Sequence, residues 1–334
     1  MANVLLVDQV DGKNALVMRD VDPAQPGPGE VRYQVHAFGL NRADLLYLAG
    51  YHYTPTIIPS RVGFEACGIV DAVGAGVTGF KVGDRVTCLP IGKPVYSVAG
   101  EFAIMPEDFL APWPEHLSTE EATSAWMQYS TAYYPFCELA QVGSGDVVLI
   151  TAASSSAGVG AIQLAKHLGA TVIASSRTTA KADFLRQVGA DHVVTHDCGS
   201  LSDQIAALPI EGRQLSMVYD AVAGPAIASY ADALGPKAQV FIYGALSGEL
   251  TIECPILPLI RPGASIHLYS LLNMFPQPGA LQRVKDYLGP LIADGRLRPL
   301  VDRVFPFEEA FAAFAYLEAG DQKGKVVVRT KFAE

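Results

Sequence analysis

From Gly145 to about Ala245 the chain repeats one pattern, a short run of consecutive apolar residues followed by a segment with apolar residues at helical spacing. The run "DVVLITA" (146–152) is apolar on both faces, as a strand covered on both sides must be. Behind it Val159, Ile162 and Ala165 share one helical face. "ATVIAS" then reads as a strand, 181–188 as a helix, "HVVT" as a strand, 201–208 as a helix, and "LSMVYDA" and "QVFIYGA" as further strands. Strands joined through helices run parallel, because each helix returns the chain to the edge where the preceding strand began. This stretch is therefore restricted to an α/β fold with a doubly wound parallel sheet.

The flanking text is different. Up to about Ala111 the chain consists of short β-like runs punctuated by glycine and proline: "NVLLV", "EVRYQVHAFGL", "ACGIVDAVG", "DRVTCLP" and "GEFAIMP". These predict an irregular, mostly antiparallel β domain. After about Pro255 the alternation weakens. A helix over 279–292, a strand in "DRVFPF", a helix over 308–318 and a last strand in "GKVVVRT" follow, the last placed to return to the N-terminal β domain.

Half of the 334 residues are hydrophobic and only 17% charged, enough apolar material for two cores. A formal charge of −10 repels phosphate backbones and anionic membranes, which excludes partners held by bulk electrostatics. "MANVLLVDQVDGKNAL" lacks a basic leader and a long apolar run, so it does not read as a secretory signal, and no stretch reaches 18 apolar residues. Five scattered cysteines without a C-x-x-C pair fit a reducing, cytoplasmic setting and support neither a disulfide framework nor a zinc lobe.

The corner between the first strand and helix, "TAASSSAGVG" (151–160), stands where a dinucleotide fold seats a pyrophosphate on a helix N-terminus. Against G-x-G-x-x-G the register falls on Ser155, Ala157 and Gly160, with Gly158 alongside. Only the third glycine is retained, but small side chains still admit a close backbone approach. Ser155, Ser156, Ala157, Gly158, Val159 and Gly160 are therefore the candidate phosphate cradle. A plain strand-turn-helix corner capped by serines is the alternative. About twenty residues on, where an acid would hold the ribose of NAD, the chain has Ser175, Ser176 and Arg177, with Lys181 one turn later. Hydroxyls and cations in place of a carboxylate favour a 2'-phosphate, hence NADPH over NADH.

The segments "GLNRADLLYLAGYH", "GFEACGIVDAVGAGVTGFKVGDRV", "STAYY", "GADHVV", "YGALSG" and "GKVVV", together with the 143–174 corner, resemble the medium-chain dehydrogenase/reductase superfamily, and within it the zinc-free quinone oxidoreductase-like branch. The resemblance runs essentially from end to end. It implies a Rossmann domain over 126–269 and a GroES-like domain over 1–125, completed by 270–334. Where zinc-bearing members place their ligands this chain has Asn41, Phe64 and Met127, a set that cannot make a tetrahedral zinc site, so no metal is expected.

Without a Lewis acid, hydride delivery to a quinone or an α,β-unsaturated carbonyl is easier than oxidation of an alcohol, because only a developing oxyanion needs hydrogen bonds. Tyr51 and Tyr53 are the candidate catalytic donors, with Tyr47 nearby, and the family's tyrosine falls near His52. His36 and His52 themselves read as surface or core histidines. Asn41, from the resemblance, contacts nicotinamide ribose or substrate. Thr131 is a nicotinamide neighbour, and Gly244, Ala245 and Leu246 present backbone to its amide. Leu271 lies in the Pro255–Phe275 stretch expected to cover the nicotinamide. Asp220 could be a turn residue only.

The resulting expectation is an NADPH-dependent, metal-free reductase of a small-molecule quinone or enone, forming a homodimer by analogy. An alcohol dehydrogenase, an enoyl-thioester reductase and a non-catalytic nucleotide-binding structural or regulatory relative are the alternatives.

Overall fold

The computed structural model describes residues 1–333. The chain divides into two compact units, Met1–Met127 with Pro278–Glu334, and Gln128–Gln277. The second unit thus runs eight residues beyond the 269 expected from sequence.

The second unit is a six-stranded, wholly parallel sheet. Its spatial order is His192–Thr195, Thr171–Ser176, Val147–Ile150, Leu215–Asp220, Leu234–Ile242, Ser265–Leu268. With the strands numbered in chain order, this is the 3-2-1-4-5-6 arrangement of a Rossmann sheet, whose strand order reverses beside the first strand. That first strand, Val147–Ile150, is completely covered, as its unbroken apolar run requires. One face of the sheet closes over a core containing Leu149, Ile173, Val218 and Val240, sealed by Ile205, Ile227 and Tyr230 from the helical layer.

One sequence reading needs correction here. The alternation was expected to fade after Pro255, yet the short helix Ile256–Ile260 leads to a sixth parallel strand, Ser265–Leu268. This strand lies at the sheet edge and is only partly covered, so it needs no continuous apolar run, and "SIHL" carries none. The sequence also left 125–139 without an element; it forms the helix Ala125–Tyr133 continued by the wider turns of Tyr134–Leu139.

The first unit is built on Glu30–Leu40. Glu65–Val73 and Phe102–Pro106 pair antiparallel with it, and Lys325–Arg329 joins its other side, also antiparallel. The end of the chain is thereby built into the N-terminal β domain, as the last strand suggested. Val301–Pro306 adds a parallel neighbour to Lys325–Arg329. Leu5, Tyr33, Phe38, Val70, Phe314 and Val328 meet in the core of this unit. The architecture comprises a Rossmann unit and a GroES-like, mostly antiparallel β unit. No helix among the described residues is long and apolar enough to cross a membrane.

Candidate functional site

In the second unit the candidate residues collect at the carboxyl edge of the parallel sheet. After Val147–Ile150 the chain turns at Thr151, whose hydroxyl donates to Asp220 at 2.7 Å and accepts from the Ala221 N–H at 2.9 Å. Asp220 is fully enclosed and also accepts from Val222 N, at 2.7 Å, and from the Tyr230 hydroxyl, at 2.8 Å. It is therefore more than a turn residue, since it ties together the ends of the two central strands. No local pattern signals this role, because its partners are scattered over 80 positions, from 151 to 230.

The cradle follows. Ala153 N–H donates to Ser175 O at 3.0 Å, joining the corner to the neighbouring strand. Ser155 caps the helix Ser156–His167 by accepting from Gly158 N–H at 3.1 Å. A Cβ on Gly158 would lie 2.5 Å from Ala153 O and 2.6 Å from Ala153 Cα, so this position cannot carry a side chain without moving backbone. At Gly160 the nearest atoms belong to the Gln128 side chain, at 3.0 Å. Gly158, which the G-x-G-x-x-G register passes over, is thus the glycine that the corner geometry needs most. Ser156 and Ala157 are half-buried and Val159 is enclosed.

At the end of the adjoining strand Ser175 and Ser176 are buried, and the Ser176 hydroxyl donates to Thr178 O at 2.7 Å. Arg177 is exposed. Lys181 Nζ lies 3.2 Å from Ser154 Oγ, which brings an ammonium onto the corner itself. An acid that the sequence reading overlooked, Asp197, accepts from the Thr179 N–H at 3.1 Å. Gly244, Ala245 and Leu246 follow the strand Leu234–Ile242, and Leu246 N–H donates to Ala221 O at 3.0 Å. Thr131 is buried in the helix Ala125–Tyr133, and Leu271 is buried at the start of Leu271–Met274. Helix N-terminus, small corner, hydroxyls and cations make a seat suited to a phosphorylated dinucleotide.

The first unit holds a different constellation. Asn41 precedes the helix Arg42–Ala49, and its N–H donates to Asp44 Oδ2 at 2.8 Å. Its side-chain Nδ2 donates to Glu65 Oε1 at 3.0 Å, and its Oδ1 accepts from Lys325 Nζ at 2.8 Å. Lys325 and Glu65 form an ion pair with both side chains fully enclosed. Gly39 makes this possible. It is the cross-strand partner of Glu65, and a Cβ there would stand 2.8 Å from Glu65 Oε1. The glycine of "GLN", the acid of "GFE" and the lysine of "GKV" are thus one packing unit, which their wide separation in sequence conceals. Asp44 is equally enclosed, accepts from Gly63 N–H at 3.0 Å, and is raised by burial to about 7.

Zinc does not fit these residues. The Asn41 amide is engaged at both ends, Phe64 offers a ring and Met127 a thioether, and among the described residues no three His, Cys, Asp or Glu side chains gather to hold a metal ion.

Beside this cluster lies a shallow pocket open to solvent, lined by Asp44, Tyr47, His52, Arg61, Phe64 and Ile91 among others. Of the sequence candidates Tyr51 is 66% exposed and Tyr53 53% exposed, and neither lines the pocket. The residue between them does. The His52 ring packs against Phe64 and Tyr53, at 5.7 and 4.8 Å between centroids, and Nδ1 accepts from Thr54 N–H at 3.2 Å. Residues 52–54 form bends rather than a strand, so no alternation in the sequence marks His52.

Residues 157–284 match the zinc-binding dehydrogenase family, and residues 27–115 match the alcohol dehydrogenase GroES-like domain. The chain is similar to a quinone oxidoreductase from Pseudomonas aeruginosa, 31% identical with 95% of this chain and 96% of the relative covered. It is also similar to a 2-haloacrylate reductase from a Burkholderia species, 30% identical over 98% and 99% of the two chains. Among solved structures, the quinone oxidoreductase of Escherichia coli complexed with NADPH superposes with a TM-score of 0.87. That protein is 26% identical, with 98% of this chain and all of the other covered.

Proposed function

Because this chain belongs to the medium-chain dehydrogenase/reductase superfamily, in its quinone oxidoreductase-like branch, it is an oxidoreductase of a family that binds nicotinamide nucleotides, and we propose that it is a metal-free, NADPH-dependent reductase of quinones or α,β-unsaturated carbonyls. The observation that carries the cofactor choice is the end of the strand Thr171–Ser176. Two buried hydroxyls, the exposed Arg177 and a lysine held at Ser154 stand where a ribose-binding acid would otherwise be. The relatives named quinone oxidoreductase and 2-haloacrylate reductase support a conjugated small-molecule acceptor.

NADPH, when bound, supplies hydride. Ser155, Ser156, Ala157, Gly158, Val159 and Gly160 receive its pyrophosphate on the helix N-terminus, with Ser175, Ser176, Arg177 and Lys181 taking the 2'-phosphate. Gly244, Ala245, Leu246, Thr131 and Leu271 complete the nicotinamide side. Asn41, fixed by Lys325 and Glu65, offers a rigid polar surface rather than a mobile donor. A cytoplasmic homodimer joined through the free edge of Ser265–Leu268 belongs to the same proposal.

Oxidation of NADPH and of NADH is to be followed across a panel of quinones and enones, with metal content measured on the same preparation. Turnover that prefers NADPH and survives chelation is the expected result. Stoichiometric zinc with activity lost on chelation, or NADPH protection against unfolding without any turnover, would replace the proposal with the alcohol dehydrogenase or the non-catalytic alternative.

A further inference from the structure

We infer that Arg61 is the centre of an anion-binding site within the first unit, and that the ligand it takes is a halide, chloride being the abundant one. The site is separate from nucleotide binding and from reduction of the acceptor. Arg61 lies on the two-residue strand Ser60–Arg61, where it is the cross-strand partner of Leu6, and its Nη2 donates to Phe102 O at 2.6 Å. The guanidinium thereby joins the three-stranded sheet of this unit to the seven-stranded one. Gly100 leaves room for it, since a Cβ there would stand 2.8 Å from Val4 Cγ1 and 3.0 Å from Arg61 Nη2. The surrounding backbone is shaped to hold this side chain.

Its charge has no counterpart of opposite sign. Among the described residues Arg61 makes no ion pair, and the ionisable group to which it is coupled is the Tyr33 phenol. Arg61 Nε and the Tyr33 hydroxyl are both enclosed, and neither has a hydrogen-bond partner in the protein. Tyr33 does not supply the missing charge, because burial pushes its hydroxyl well above the ordinary value. Burial likewise pushes the Cys88 thiol beside it up to about 12, so both groups stay protonated. Cys88 Sγ already accepts from the Ala66 N–H at 3.2 Å. Burial also lowers Arg61, to about 10, which leaves it cationic at neutral pH. A cation with unclaimed donors in an enclosed setting is complemented by an anion, whereas water satisfies the hydrogen bonds and leaves the charge uncompensated.

The approach from solvent has the matching sign. The shallow pocket that Arg61 lines has Lys93 as its second cation and Asp44 as its only acid. Both Asp44 oxygens are committed to backbone, Oδ1 to Gly63 N–H at 3.0 Å and Oδ2 to Asn41 N–H at 2.8 Å. Lys93 is exposed and makes the mouth attractive to anions. Almost no enclosed space lies beneath that mouth, and Val62, Phe64 and Ile91 contribute apolar wall. A single weakly hydrated ion suits such a place; a carboxylate or phosphate brings several oxygens that the wall leaves without donors.

Thermal unfolding at constant ionic strength tests the inference, with sodium chloride or bromide replacing sodium gluconate, whose anion is too large to enter. The wild-type Tm is expected to rise by about 2–4 °C, the shift that follows when a site is filled at about five times its Kd. Arg61→Met, which keeps the length and removes the charge, loses the halide increment. Tyr33→Phe, which removes one donor, reduces it. Crystals grown in bromide should give an anomalous peak at hydrogen-bond distance from Arg61 Nε. Equal increments in wild type and Arg61→Met, no bromide peak at Arg61, or a larger stabilisation by formate than by chloride each overturn the inference. A peak without any Tm increment is binding at crystal concentration only and overturns it as well. Should Arg61→Met not fold, Tyr33→Phe and the bromide map decide. None of these measurements involves NADPH or turnover, so the outcome is independent of the reductase reading.

Discussion

Lys325 Nζ donates to Asn41 Oδ1 at 2.8 Å across 284 positions of sequence, and the same ammonium is paired with the buried Glu65 carboxylate. A charge enclosed in this way is tolerable only with its partner, since removing one member strands the other in a medium that solvates it poorly. Lys325→Met should therefore cost about 3–5 kcal/mol of stability in urea unfolding, with part recovered when Glu65→Gln is added. A single variant within about 1 kcal/mol of wild type, the usual scale of a surface pair, would show that the pair is not enclosed.

Asp44 gives stability a pH dependence of opposite sense to that of most acids. Burial raises its carboxyl to about 7 from an ordinary 3.8, outweighing the opposing hydrogen bonds from Asn41 and Gly63 and the attraction of Lys325. Between those two values the folded protein holds a proton that the unfolded chain has released. The native state then binds more protons, and stability falls as pH rises through the window, by at most about 1.4 kcal/mol per unit. Below pH 4 both states are protonated and the penalty vanishes. The urea midpoint of wild type should fall relative to that of Asp44→Asn as pH rises from about 4 to about 7. A constant difference between them would assign the slope to other groups.

Gly158 is where the cradle is most sensitive to one added carbon. A methyl group would press on Ala153 backbone at 2.5 Å, against the side-chain contact of 3.0 Å met at Gly160. Gly158→Ala should cost about 1–3 kcal/mol and weaken nucleotide binding, while Gly160→Ala does less of both. Calorimetry of NADPH binding alongside thermal unfolding separates the two effects. Equal outcomes for the two glycines would argue against a corner held by close backbone packing.

Arg177 sets the cofactor preference in the proposed reading. Arg177→Asp replaces a cation with a carboxylate at the end of Thr171–Ser176. It should weaken NADPH by at least about 100-fold while changing NADH by less than about 10-fold, as expected when a charge-assisted contact is exchanged for repulsion. Titration of each nucleotide by fluorescence reads this directly, and parallel losses for both would remove Arg177 from the 2'-phosphate site.

Fold class was readable because periodicity is a local property. "DVVLITA", "ATVIAS" and "LSMVYDA" each declare a covered strand within seven residues, and their separation by helical segments forces parallel pairing. The edge strand Ser265–Leu268 escaped notice because an edge needs fewer apolar residues. The corner at 151–160 was equally legible, since a turn of small residues between strand and helix is contiguous in the chain.

The amino-acid sequence by itself determined the alternation, the small corner and the positive charge after the second strand, because each depends on neighbours a few positions apart. Tertiary structure alone decided which glycine is indispensable, that Glu65 and Lys325 enclose each other over Gly39, and that His52 lines a shallow pocket while Tyr51 and Tyr53 are exposed. The physical reason is that burial and ion pairing are set by what the folded chain places alongside a residue, and those partners lie tens to hundreds of positions away.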